Sequence, residues 1–280
     1  SNKLRSSLTM LGITIGIFTV IGVMTAVSGV KSKIQDGLNF LGANSFQVSK
    51  FPIVNFSDPR EKFGNRPDIR LREAIRFKDL MAGDARVCMI TSRGGRRVFF
   101  EKENTNPDVR LVGTDENYLT SYSFEVAQGR PISADDVDFA RSICLIGEDL
   151  RQKLFRNQDP LGEIIRIDGN SFTVVGLLEA KGSSFGQSQD NIVITPITRF
   201  FNAYGRADRS ISCNVQGESP EELDDLQEMA IGSMRIVRGL LPEDSNDFEI
   251  TTNDSLVRTF DQALNTVAIG AFVISAIALL

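Results

Sequence analysis

Enzymatic chemistry needs a proton acceptor, a nucleophile, a metal cage or a phosphate cradle, and this 280-residue chain offers few of the residues that build them. It has no histidine, which removes the commonest general base and the commonest metal ligand. Serine–histidine and cysteine–histidine nucleophiles and histidine-containing zinc sites are therefore excluded. Gly37-x4-Gly42 has part of the glycine spacing of a phosphate loop, but Ala43-Asn44 stands where that loop needs lysine and a hydroxyl. Gly94-Gly95-Arg96-Arg97 has the composition of an anion nest, although the same residues read more simply as a hairpin turn. The acidic pairs Asp135-Asp136 and Asp224-Asp225 lack the spaced oxygens of a calcium loop and read as solvated helix termini. Cys88, Cys144 and Cys213 are odd in number, form no C-x-x-C and lie among apolar residues, as small buried hydrophobes in strands do. The expectation is a non-enzymatic chain with no catalytic, metal-binding or cofactor-binding residues and no cofactor.

Two uncharged runs at the ends of the chain dominate the rest of the reading. Ser6 to Val30 is 25 residues without a charge, and Gln262 to Leu280 is 19 more. About 20 apolar residues suffice to cross a bilayer. A cleaved signal peptide is the rival reading of the first run, but its apolar core is too long. A buried core helix is the rival reading of the second, and a pair of such runs at opposite ends disfavours both rivals. The second run stops without a polar flank, so the expectation is a fragment of a longer membrane protein. Gly12-x3-Gly16 is a small-xxx-small spacing that lets helices approach closely in lipid, and Ala271 and Ser275 repeat it. Residues 31–261 carry a net charge of −7, which argues against nucleic acid as a partner. Lys3 and Arg5 before the first run balance Lys31 and Lys33 after it, so charge leaves the orientation open.

Between the runs the pattern is α+β. Val30, Ile34, Leu38 and Leu41 continue one apolar helical face beyond the first span, which predicts a stalk ending at Gly42-Ala43-Asn44. Leu256, Phe260 and Leu264 form a matching stripe before the second span, so the two stalks are expected to pack antiparallel, Leu41 near Leu256 and Val30 nearer Leu264. Strands are expected over Ser45–Phe51, Val87–Ser92, Arg97–Lys102, Val109–Thr114, Arg141–Ile146, Ile192–Ile194, Ser210–Gln216 and Phe248–Thr252. Glu163–Asp168 and Ser171–Leu178 read as a hairpin around Gly169-Asn170, and Val87–Ser92 and Arg97–Lys102 as one around Gly94-Gly95. Helices are expected over Leu71–Met81, Glu148–Phe155, Thr195–Tyr204 with Pro196 at its start, and from Ser219-Pro220-Glu221-Glu222 to Leu240. Ser133 caps a short helix, Asp159-Pro160-Leu161-Gly162 is a turn, Asn253 or Asp254 opens the last helix, and 52–67 is a loop.

Six phrases carry a resemblance. KLRSSLTMLGITIGI, with the stalk and GANSFQV after it, resembles the first membrane helix of the MacB/FtsX-like ABC transporter permeases. LVGTDENY, QGRPISADD, ICLIGEDLRQKLF, DPLGEIIRIDGNSFTVVGLLE and DFEITTND resemble the MacB-like periplasmic core domain in order and spacing. The resemblance implies an extracytoplasmic mixed α/β domain of two subdomains, one inserted in the other, between two transmembrane helices with helical stalks. Its boundaries are residues 1–30 for the first membrane helix, 31–44 for its stalk, 45–252 for the core domain and 253–280 for the second stalk and membrane helix. Within the core, 45–112 with 205–252 is expected as one subdomain and 113–204 as the insert. The family implies a multi-pass permease in the bacterial cytoplasmic membrane, its large domain in the periplasm or outside the cell. Its partners would be membrane lipid, a cytoplasmic ABC ATPase subunit, a second permease copy or paralogue in a dimer, and an extracytoplasmic adaptor or hydrolase. Its mechanism would be mechanotransmission, export or extraction driven through the stalks. The 280 residues carry no ATPase segment before the first helix and stop before a third and fourth membrane helix, so the ATPase is expected to be either cut away or a separate subunit. The rival function is a membrane-bound extracytoplasmic sensor.

Overall fold

The computed structural model describes residues 2–37, 44–53, 66–156, 158–184, 186–206 and 209–278. Contacts divide it into a helical unit, Ser1–Asn39 with Asn253–Leu280, and a sheet unit, Phe40–Thr252.

In the helical unit, α1 spans Asn2–Gly37. Its segment Met10–Lys31 is, among the described residues, the one stretch long and apolar enough to cross a membrane. Hydroxyls inside it do not oppose that environment: Thr14, Thr19 and Thr25 donate to the carbonyls of Met10, Ile15 and Ile21 one turn back, so these three hydroxyls need no partner from lipid. The last helix, which runs Asn253–Ala278, begins where the final strand ends.

In the sheet unit the elements in chain order are β1 (Ser45–Ser49), α2 (Leu71–Leu80), β2 (Arg86–Arg96), β3 (Val98–Phe100), β4 (Glu103–Asn104), β5 (Val109–Thr114), α3 (Tyr118–Ser121), β6 (Val126–Gly129), α4 (Ala134–Asp138), β7 (Ile143–Ile146) and α5 (Glu148–Leu150). Then come β8 (Ile164–Ile167), β9 (Asn170–Leu178), β10 (Ser183–Ser184), β11 (Gln187–Ser188), β12 (Ile192–Pro196), α6 (Ile197–Tyr204), β13 (Ser212–Gln216), α7 (Leu223–Arg238) and β14 (Glu249–Thr252), which leads into α8 (Asn253–Ala278). One mixed sheet runs in the order β14-β1-β13-β2-β5-β12-β7-β9-β8-β3-β4, with β6 added beside β9. β1, β2, β5, β13 and β14 occupy one end and β7, β8, β9 and β12, from between β5 and β13 in the chain, the other. They meet where β5 and β12 pair in parallel. The exception is β3–β4, whose residues precede β5 in the chain yet lie at the far end beside β8.

Several local expectations need correcting. Gly94-Gly95 is no hairpin: β2 continues through it and pairs with β5 across a bulge between Arg93 and Arg96, while β3 pairs with β4 and β8. A local turn signal yielded there to distant partners. The β8–β9 hairpin is present, but Ile167 faces Asn170, so the turn is Asp168-Gly169, one residue earlier. Both turn residues have positive φ, 48° and 81°, as a type I′ hairpin requires. Thr195 and Pro196 belong to β12, and α6 starts after them. Past Leu150, the expected helix widens into a π turn over Arg151–Phe155. The first strand stops at Ser49 rather than Phe51. Ser133 caps α4 as expected, its hydroxyl accepting from Asp136 N–H.

Register sorts the strands' side chains into two faces. Phe46, Val48, Val87, Met89, Cys213 and Val215 share one, with the buried Phe77 of α2 and Met234 of α7 in the same core. Arg238 closes this layer: its side chain is only 3% exposed and pairs with Glu73 at 2.9 Å and Asp247 at 2.7 Å. It also donates to the carbonyls of Asp68 and Pro67. The opposite face carries Gln47, Ser49, Asn214, Ser212 and Ser92, and is the more polar one.

Candidate functional site

Two arrangements deserve consideration as machinery, one in each unit. In the helical unit α1 and α8 pack against each other. The least exposed positions of α1, Gly12, Gly16, Val20, Val23 and Val27, recur at helical spacing on one stripe. On α8 the corresponding stripe is Leu256, Phe260, Leu264 and Ala268. Gly16 is buried, so the small-residue spacing read from the sequence falls on the contact side, where absent side chains admit a close neighbour. Lys31 Nζ bridges Asp261 at 3.0 Å and fixes an antiparallel register. An exposed pair of this kind adds about 0–1 kcal/mol, so its contribution is alignment more than stability. The expected face through Val30 is corrected here: Val30 is 46% exposed, because the stripe turns from Val27 to Lys31. Leu38 and Leu41 lie outside the described residues, as does the side chain of Ile34.

In the sheet unit the polar face opens into a cleft of about 510 Å³. Its floor is Gln47 and Ser49 of β1, Ser212 of β13 and Ser92 of β2, with Arg110 of β5 at one side. Tyr118 and Tyr122 wall it, their rings stacked at 4.8 Å. Tyr122 shares a hydrogen bond with the buried Asn214. Burial pushes the Tyr118 hydroxyl up to about 12 and raises Tyr122 well above its ordinary value. These hydroxyls keep their protons at neutral pH and offer donors and acceptors for binding. Sequence reading missed it because alternation of polar and apolar residues in β1 and β13 looks the same for a wet outer face and a cleft floor.

The residues singled out in the sequence scatter. Cys88, Cys144 and Cys213 are buried, free thiols in three different strands, as expected, and burial raises all three. Asp224 and Asp225 sit exposed in the first turn of α7. Asp136 is no solvated terminus: it is fully buried, bound by Arg130 at 2.6 Å and Arg141 at 2.9 Å, and accepts from the Ser133 amide and hydroxyl. Burial works against its charge, but those partners outweigh it and hold the carboxyl well below the usual range. Arg96 turns to Asp168 and to the Gly94 carbonyl. A further buried carboxylate escaped the sequence reading. Asp115 accepts from Lys78 at 2.8 Å and from the Met89 and Asn117 amides. Burial raises its pKa despite the lysine.

Residues 6–231 match the family model of the MacB-like periplasmic core domain. The chain is 28% identical over 233 residues to the macrolide export ATP-binding/permease protein MacB of Bdellovibrio bacteriovorus, covering 82% of this chain and 35% of that protein. It spans about a third of the length of such curated relatives. Its fold is similar to the periplasmic region of MacB from Actinobacillus actinomycetemcomitans, with TM-score 0.64, 19% identity and coverage of 82% and 98% of the two chains. It is also similar to the extracellular domain of the noncanonic ABC-type transporter YknZ from Gram-positive bacteria, with TM-score 0.58, 20% identity and coverage of 75% and 100%.

Proposed function

The chain belongs to the MacB-like periplasmic core domain family, and on that premise we propose that it is a permease part of an ABC transporter that moves its extracytoplasmic domain by force from the cytoplasm. The reading places the sheet unit outside the cytoplasmic membrane, with α1 and the apolar end of α8 as its first two membrane helices. ATP would be hydrolysed by a cytoplasmic partner, and a second copy or paralogue would complete a dimer. An adaptor or hydrolase would act on the outer side. The two-subdomain division at about residues 112 and 204 belongs to the same reading.

The observation that supports it best is the pair α1 and α8, held in register by Lys31–Asp261. The chain passes from the Thr252 end of β14 directly into α8. A packed helix pair switches between discrete arrangements and is a suitable part for relaying motion. The test is charge exchange in a strain lacking this permease. Asp261→Lys should fail to complement while the protein is made in normal amount, and Lys31→Asp combined with Asp261→Lys should restore function. Full activity of the single variant would remove the helix pair from the mechanism.

The polar cleft favours a second reading, a sensor whose sheet unit binds a ligand. The sequence beyond Leu280 separates the two: further apolar spans support the permease, a long polar signalling region the sensor.

A further inference from the structure

A second cavity, also of about 510 Å³, lies on the other side of Arg209 and has a different chemistry. It is lined by Arg70, Arg72, Arg206, Arg209, Phe201 and Glu73. Among the described residues four arginines and one carboxylate line it, and that carboxylate is already engaged. Glu73 accepts from the Arg70 amide at 2.7 Å and from the buried Arg238 at 2.9 Å. Among the described residues none of the four lining arginines has an acidic partner. Such a concentration of positive charge runs against a chain whose net charge is −5.

Three further observations concern the residues that line it. Arg70 and Arg72 stand at the first turn of α2, the end of a helix where cations are disfavoured by its dipole. The first-turn amides there have no acceptor within the helix. Arg209 lies over the Phe200 ring at 5.7 Å, and its Nε is buried without a hydrogen-bond partner among the described residues. Burial, and then Arg93 and Arg96 behind it, lower its affinity for its own proton. A buried donor left unmatched costs free energy that a bound acceptor would recover.

We propose that this pocket binds a phosphate group, carried by a soluble phosphoester or by a lipid headgroup. Guanidinium forks match tetrahedral oxyanions two bonds at a time, and four of them lining one pocket open to solvent suit a doubly charged anion better than a single carboxylate. An acidic peptide offers single carboxylates, each with one negative charge, and serves as the competing probe.

The test uses the full chain in detergent, with glycerol 3-phosphate, dihexanoyl phosphatidic acid and a polyglutamate peptide as probes, followed by phosphorus NMR and calorimetry. Saturable binding of either phosphate is expected, weakened about tenfold or more by Arg209→Gln or Arg72→Gln. Arg110→Gln, in the other cleft, should leave it unchanged. Neither substitution should lower the unfolding temperature, since each relieves repulsion. Preference for phosphatidic acid over glycerol 3-phosphate identifies a lipid headgroup, and the reverse a soluble ester. Absence of saturable phosphate binding, binding insensitive to both substitutions, or binding of polyglutamate alone overturns the proposal. A variant that unfolds is replaced by Arg206→Gln, whose exposed side chain supports no core contact.

Discussion

Asp136 and Asp115 are both buried carboxylates paired with cations, yet burial and pairing balance oppositely in them. The Asp136 pKa is depressed, so its contribution to stability is present above the unfolded value of about 3.9 and fades as pH falls toward the native one. Asp136→Asn should cost about 2–4 kcal/mol at pH 7, and urea titrations should show variant and wild type converging as pH drops below about 4. A gap of constant size down to pH 3 would contradict the assignment. The Asp115 pKa is raised, so its contribution is greatest below the unfolded value and is lost as pH rises through the native one. Asp115→Asn keeps an acceptor for the Met89 amide and should cost less at pH 7 than Asp136→Asn. At this scale the sequence was half legible. The Ser133 cap could be read from S-A-D-D, because a capping hydroxyl and its acidic turn are local. Arg130 and Arg141 reach Asp136 from outside the helix, and no spacing rule brings them there.

Elements with local signatures were the readable ones. Helix α7 has Pro220 and acids at its start and a left-handed Gly239 at its end, and β8–β9 has its Asp-Gly turn. Neighbours set by distant pairing were not readable: β3 beside β8, or β5 beside β12, follow from packing alone. One such packing has a sharp consequence. Helix α6 crosses β5 at Gly113, where an added Cβ would stand 2.6 Å from Phe200 Cβ and Cγ. Phe200 is fully buried and has nowhere to retreat. Gly113→Ala should therefore destabilise the sheet unit by about 1–3 kcal/mol, measured by thermal or urea unfolding. An unchanged midpoint would mean that α6 shifts freely over the strand.

For the molecule as a whole, the proposed function assigns a sidedness that charge left open. A reporter cysteine at Pro52 should react with a membrane-impermeant maleimide in intact cells or spheroplasts, against a background of three buried native thiols. Labelling only after lysis would invert the topology. Cysteines replacing Lys31 and Asp261, whose native side chains meet at 3.0 Å, should be joined by a short bismaleimide crosslinker. The crosslinked protein should stay active if α1 and α8 move as one body, and should be blocked if they must slide past each other.

The attachment of these helices to the sheet has a mechanical corollary. Strand β1 begins at Ser45 and β14 ends at Thr252, with Phe46 opposite Thr252, so both attachments enter the same end of one strand pair. Drawing the two attachments apart would peel β14, an edge strand paired among the described residues with β1 alone, and its hydrogen bonds would open one after another. Drawing them together along the strands leaves the β1–β14 ladder slack. The load then falls on the β1–β13 ladder in shear, where all its bonds resist at once. The sheet is thus stiff to a shared pull and compliant to a split one.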